Sequence, residues 1–245
     1  MKNYYQAEDL KTKHLFVRKS SSLLSFVSLC FVFLLSNEYI YIHLFNWWYT
    51  LILPIILPFF CSQLYSIDGK QKDITVKSFP IDIQKVWKAK LLIGCKYLSE
   101  SCIILYCGFL LFHLLLKDSF ETIPYWNGFI ATLMIFFSFL WQIPIYLYLS
   151  YQIGMLTTVL ISITLNTIVG IGIANSAYWF IYPFSFIYKI GQVLLGINPD
   201  GIYASKLMPS SETTLIILFN AIFSIMAWFA LNRITALWYK NKETI

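Results

Sequence analysis

Four long stretches of this 245-residue chain contain no Asp, Glu, Lys or Arg, and they constrain its fold more than any other feature. They cover residues 20–37, 44–67, 122–188 and 213–232. A helix needs about 20 mainly apolar residues to cross the hydrocarbon core of a bilayer. In lipid the backbone must satisfy its hydrogen bonds within the segment, which a helix does. The stretches therefore predict an all-α membrane protein.

The overall composition agrees with this class of protein. Hydrophobic residues make up 58% of the chain and charged residues 12%, against about 25% charged residues in soluble domains. The net charge of +6 fits loops that concentrate Lys and Arg on one side of a membrane, so we expect no nucleic-acid partner. The five cysteines all fall in apolar segments, so we expect neither a disulfide framework nor a metal site.

The apolar segments can be divided into six spans, which together form a membrane domain over residues 22–245. The 67-residue stretch 122–188 is too long for one crossing and is interrupted by polar residues and glycine at 150–154, so it is divided there. The predicted spans are 22–41, 47–65, 91–116, 129–151, 154–176 and 213–237.

The basic residues predict the orientation of these spans. If the N-terminus lies in the cytoplasm, 14 of the 18 Lys and Arg residues fall on the cytoplasmic side and three on the outer side, with Lys96 inside a span. Cytoplasmic loops are enriched in Lys and Arg, so both termini are predicted to be cytoplasmic. The first apolar segment is not followed by a small-residue cleavage pattern and is expected to remain as a helix.

Residues 1–21, which precede the first span, mix apolar and charged side chains. Such a segment is typical of a helix that lies along the inner leaflet with its lysines near anionic headgroups. The alternative is an ordinary charged tail.

Residues 66–90 form a polar, lysine-rich loop between the second and third spans. Ser78 and Pro80 are suited to a helix start, and Ile83, Val86 and Trp87 then repeat on one helical face. We hypothesise a coupling helix that binds a groove of a cytoplasmic ATPase. Its candidate contact residues are Asp68, Lys70, Phe79, Pro80, Ile83, Val86, Trp87 and Lys90. The alternative is that the lysines only fix topology while the helix rests on lipid.

A few polar residues lie inside the predicted spans. Lys96 and Glu100 are one helical turn apart and could pair beside the membrane interface or line a translocation path. Asn166 and Asn220 could belong to the same path or to a helix–helix contact.

The segment 177–212, on the outer side, is apolar enough to suggest a seventh span, but it contains Pro183 and Lys189. A seventh span would also place the basic C-terminus outside. Two short helices, re-entrant or interfacial, are expected instead. The residues that shape this segment are Pro183, Gly196, Pro199, Asp200 and Gly201.

Several motifs of catalytic proteins are absent from the sequence. It contains no G-x-x-x-x-G-K-[ST] phosphate loop, no H-E-x-x-H and no G-x-S-x-G. The chain is therefore expected to be non-catalytic and to leave any ATP hydrolysis to another subunit.

Three motifs relate the chain to a known family. The first is Glu8-x-x-Lys11-x-Lys13. The second is Asp68-Gly69…Phe79-Pro80-Ile81…Val86-Trp87-x-Ala89-Lys90. The third is Tyr182-Pro183-Phe184-Ser185…Gly196-Ile197-Asn198-Pro199-Asp200-Gly201. With these motifs and its six-span plan, the chain resembles ABC-2-type (type V exporter-like) permeases, specifically the small permease subunits of lantibiotic self-protection transporters.

The resemblance implies an N-terminal interfacial helix, a cytoplasmic coupling helix and outer re-entrant helices. It further implies pairing with a second, homologous permease and with an ABC ATPase that binds ATP-Mg, in a bacterial cell membrane. The implied function is expulsion of a lantibiotic-type peptide from the membrane. Two alternatives remain: a permease of the same family for another amphipathic substrate such as a lipid, polymer or drug, and a stand-alone membrane transporter or enzyme.

Overall fold

The computed structural model describes residues 1–13, 16–35, 39–69, 82–115, 123–203 and 210–242. In these ranges the chain is helical, apart from connecting turns and one isolated β-bridge between Ile197 and Tyr203. This confirms the prediction of an all-α protein.

The long helices follow one another along the chain and are numbered in that order. α1 is Lys2–Thr12 and α2 is Phe16–Leu35; α3 joins Ile40–Trp47, a π-helical turn at Trp48–Ile52, and Leu53–Gly69. α4 is Ile83–Leu115, and α5 joins Tyr125–Leu140 and Gln142–Ile153. α6 joins Met155–Ile163, a π-helical turn at Thr164–Val169, and Gly170–Ala174.

Short helical pieces connect α6 to the last long helix. They are two 3-10 turns, Trp179–Ile181 and Pro183–Ser185, followed by α7, which joins Phe186–Ile190 and the π-helical turn Gly191–Leu195. α8 is Ser210–Lys242.

Five helices of the described part are long and apolar enough to cross a membrane: Ile40–Ser66, Ile83–Leu115, Tyr125–Ile153, Met155–Ala174 and Thr213–Asn241. A shorter apolar helix covers Ser22–Leu35. These lengths and compositions indicate a membrane-embedded protein, in agreement with the sequence.

Two differences between the helix boundaries and the predicted spans matter most for the site. Tyr39 lies in a turn and Ile40 begins α3, so residues 40 and 41, the predicted end of the first span, belong to α3. α4 begins at Ile83, eight residues before the predicted third span. Residues 83–90 are therefore the first two turns of a 33-residue helix, which is about 50 Å long at 1.5 Å per residue.

α5 and α6 are separated by a single residue. Gly154 has φ 84° and lies between their ends, in a left-handed conformation that residues with a Cβ rarely adopt. The chain reverses direction there, inside the charge-free stretch that the sequence divided at 150–154.

The helices form a bundle in which α3, α4 and α5 are central, with α2, α6 and α8 packed around them. α1 packs along α4. At one end, called the basic end, α1, the start of α4 and the end of α8 meet. At the opposite end, α7 packs against α5 and the start of α3.

Candidate functional site

The predicted coupling helix is the basic-end start of α4, and its apolar face packs against α8. Val86 and Trp87 are buried, and Ile83 is half-buried against the core. The Trp87 Nε1–H donates a hydrogen bond to Thr235 Oγ1 at 3.0 Å. Its ring centroid lies 4.7 Å from that of Tyr239. These contacts place the apolar face inside the protein's own core. The coupling hypothesis, in contrast, assigns this face to a groove of the partner ATPase.

The outward face of the same two turns carries polar side chains. Asp82, Lys85 and Lys88 are exposed, and Lys85 Nζ lies 3.1 Å from Asp82 Oδ2. The hydrogen bond from Lys85 lowers the pKa of the Asp82 carboxyl, so this pair is charged at neutral pH. The Asp82 backbone N–H also donates to the Tyr4 hydroxyl of α1 at 3.1 Å. The surface open to a partner is therefore formed by polar groups next to α1.

Lys90, predicted to contact the ATPase, is buried in the bundle. It is 3% exposed, and its Nζ donates to the Leu64 carbonyl at 3.0 Å. The same Nζ lies 3.4 Å from Glu8 Oε2 without hydrogen-bond geometry, so the two form an ion pair. Glu8 also binds Lys11 at 2.6 Å. Lys90 therefore joins α1, α3 and α4.

Lys96 makes a second contact with α1. Its Nζ lies 2.8 Å from Asp9 Oδ1. Glu100, which the sequence suggested as its partner, lies one helical turn further along α4. The residue that sequence reasoning missed is thus Asp9, which lies far from Lys96 along the chain. Together with Glu8–Lys90, this pair holds α1 against the bundle.

The remaining residues of the coupling hypothesis lie outside the described part. They are Lys70, Phe79 and Pro80, together with the side chain of Asp68. Their assignment to an ATPase contact stays a prediction.

Asn166 is fully buried in a polar network between α5 and α6. Its Nδ2 donates to Gln142 Oε1 at 3.1 Å and to the Tyr146 hydroxyl at 2.8 Å, and Gln142 Nε2 donates to Asn166 Oδ1 at 3.2 Å. Ser162 donates to the Tyr146 hydroxyl at 2.9 Å. The Tyr188 hydroxyl of α7 donates to the Asn166 carbonyl at 2.9 Å. Buried polar groups in such a network hold helices in one arrangement.

Asn220 extends this network to α8. Its Nδ2 donates to Ser138 Oγ at 2.7 Å, and the Ser138 carbonyl accepts from Gln142 Nε2 at 3.0 Å. Both asparagines therefore make helix–helix contacts, which fits the second of the two predicted roles. Sequence reasoning missed Gln142 and Tyr146, although two polar groups one turn apart in a charge-free stretch were a usable signal.

The described part of the segment that was predicted to lie on the outer side, residues 177–203, forms a compact cap on the bundle. Pro183 occupies the first position of a 3-10 turn, and Gly196, at φ 67°, ends α7. Pro199 is buried, Asp200 is exposed, and Asp200 Oδ1 accepts the Ile202 N–H at 3.1 Å.

Gly201 completes this turn at φ 85°, where a Cβ would come within 2.6 Å of Asn46 Nδ2. The residues from Pro183 to Gly201 thus shape the cap. Burial lowers the pKa of Lys189 in the same segment, and its Nζ donates to Gln192 Oε1 at 3.2 Å.

Within the described ranges, no group of three His, Cys, Asp or Glu side chains is placed to hold a metal ion. No family model, curated protein or solved structure matches the chain.

Proposed function

We propose that this chain is the permease subunit of an ABC transporter that expels a lantibiotic-type peptide from the bacterial cell membrane. Its ATP-Mg is bound by a separate ATPase, and it pairs with a second, homologous permease. In this proposal α2, whose apolar part is Ser22–Leu35, is the first of six spans and adds to the five longer helices. The assignment of peptide and partners rests on the family resemblance.

One structural observation carries the transport part of the proposal. The start of α4 is fixed to α8 and α3 through Trp87 and Lys90, and it exposes Asp82 and Lys85 on the other face. The same helix continues as a candidate span to Leu115. A soluble partner that displaces this exposed face would therefore move a helix that runs through the whole bundle.

The placement of the chain ends supports the same function. α1, the start of α4 and the end of α8 share the basic end, as expected when both termini and the lysine-rich loop are cytoplasmic. An ATPase in the cytoplasm would then meet the exposed face of α4.

The first experiment tests coupling to an ATPase. Lys85→Glu reverses an exposed charge without entering the core, whereas substitution of the buried Trp87 would disturb folding. The full-length variant is expected to retain its thermal stability but to capture less of a co-expressed ABC ATPase partner. Lys240→Glu, also exposed at the basic end, is the matched control. Equal capture by both variants and the original chain contradicts a contact at this face.

The second experiment tests the substrate. Deletion of the gene is expected to sensitise the cell to nisin-like peptides, and restoring the gene should reverse the effect. Unchanged sensitivity to such peptides, with ATPase capture intact, would instead identify a permease for another amphipathic substrate.

A further inference from the structure

A groove at the basic end, between α4 and α8, has a different chemistry from the rest of the surface. Its volume is about 620 Å³. The α4 side contributes Gln84 and Lys88, and the α8 side contributes Phe229, Asn232, Arg233 and Leu237. Cations, amides and apolar side chains therefore line one cavity.

The groove has a positive electrostatic character. Lys88 and Arg233 are exposed and make no ion pair among the described residues. No Asp or Glu side chain is among the described residues that line the groove. The nearby described carboxylates already have basic partners. Asp82 binds Lys85, Glu8 binds Lys11 and Lys90, and Asp9 binds Lys96.

The α8 side of the groove also carries apolar side chains. Phe229 is 66% exposed and Leu237 is 47% exposed, on either side of Arg233. Phe229 continues an apolar surface along α8 that includes the exposed Ile225 and Met226. A ligand that fills the groove must therefore place an anionic group near Lys88 and Arg233 and an apolar part along α8.

The position of Arg233 along α8 gives the depth of the groove in a bilayer. The charge-free stretch 213–232 ends immediately before it, and 20 helical residues span about 30 Å, the thickness of the hydrocarbon core. Trp238 packs edge-on against Tyr148 at 4.6 Å and lies 5.2 Å from Tyr151. Aromatic clusters of this kind are typical of the headgroup region.

We propose that this groove binds an anionic phospholipid, with its phosphate between Lys88 and Arg233 and an acyl chain along Phe229 toward Ile225 and Met226. The amides of Gln84 and Asn232 offer hydrogen-bond donors to the phosphate oxygens. An acidic loop of a protein partner would match the charges but leave Phe229 and the apolar surface beside it in contact with water. The lipid matches both the basic and the apolar side chains.

The test uses the full-length protein purified in a neutral detergent. Phosphatidylglycerol and phosphatidylcholine of the same acyl chains are titrated separately, and bound lipid is counted by native mass spectrometry while thermal stability is followed. Phosphatidylglycerol is expected to bind more tightly and to raise the melting temperature more. Inorganic phosphate is a third arm, which is expected neither to stabilise the protein nor to displace the lipid.

The double variant Lys88→Gln/Arg233→Gln is expected to bind phosphatidylglycerol about 30-fold more weakly. This corresponds to about 1 kcal/mol for each basic side chain near an anionic lipid, at ~1.4 kcal/mol per tenfold. Lys240→Gln is the matched control and should bind the lipid as the original chain does.

Four outcomes would overturn the proposal. They are equal binding of the two lipids, an unchanged preference in the double variant, an equal loss in Lys240→Gln, and displacement of the lipid by inorganic phosphate. If the double variant does not fold, the comparison of the two lipids on the original chain and the Lys240→Gln control still test whether the groove prefers an anionic lipid. Loss of ATPase capture by the double variant with unaltered lipid binding would assign the groove to the protein partner.

Discussion

The buried contact between Glu8 and Lys90 yields the sharpest prediction for stability. Glu8→Gln removes the negative charge 3.4 Å from the Lys90 ammonium, while the side chain of Lys90 stays only 4% exposed. The Lys90 ammonium then keeps its hydrogen bond to the Leu64 carbonyl at 3.0 Å but loses its ion pair with the Glu8 carboxylate. Breaking one side of a buried ion pair costs about 3–5 kcal/mol of unfolding free energy, and a loss of that size is expected.

Lys90→Met is expected to cost less, because Glu8 keeps its ion pair with Lys11 at 2.6 Å. The loss then comes mainly from the hydrogen bond to Leu64 and amounts to about 1–3 kcal/mol. The double variant removes the buried ammonium together with the carboxylate, so the double loss should be no larger than that of Glu8→Gln alone. The coupling energy between the two positions should therefore exceed about 1 kcal/mol.

The measurement is reversible unfolding of the full-length protein in mixed micelles, for the two single variants and the double variant. Asp9→Asn is the matched control, because it breaks the partly exposed pair with Lys96, whose side chain is 32% exposed. Such a pair contributes about 0.2–1 kcal/mol. Additive losses in the double variant, or equal losses for Glu8→Gln and Asp9→Asn, would refute the reasoning.

Two further predictions concern the interior and use the same unfolding assay. Asn166→Leu leaves Gln142 and Tyr146 short of a buried partner and should lower the free energy of unfolding by about 1–3 kcal/mol. The control Thr164→Val, at an exposed site on the same turn, should change it by no more than about 0.5 kcal/mol. Equal effects of the two substitutions would contradict a stabilising network. Gly128→Ala would place a Cβ within 2.5 Å of Phe109 Cε1 and should lower the free energy of unfolding by about 1–3 kcal/mol. At Gly172 an added Cβ would meet no atom within 4 Å, so Gly172→Ala should raise the free energy of unfolding by about 0.5–1 kcal/mol. A Gly128→Ala protein as stable as the original would show that Phe109 moves aside freely.

The sequence predicted the helical class and a shared apolar face for Val86 and Trp87, because apolar periodicity reports which side of a helix is covered, although not by which partner. It did not predict that residues 83–90 continue into the next span. Three lysines in these two turns resemble a loop, and only a distant residue such as Glu8 makes the burial of Lys90 favourable. Pairing between residues far apart in sequence leaves no local pattern, which is also why Asp9 was not identified as the partner of Lys96.

The last helix, α8, has a practical consequence for handling the protein. Only 11% of the residues in the most apolar part of Thr213–Asn241 are buried, so most of its surface requires a cover that the described part of the chain does not supply. Outside a bilayer, solubilisation depends on amphiphiles long enough to coat that surface. Short-chain detergents should leave it bare and promote aggregation, so long-chain detergents or lipid nanodiscs suit extraction.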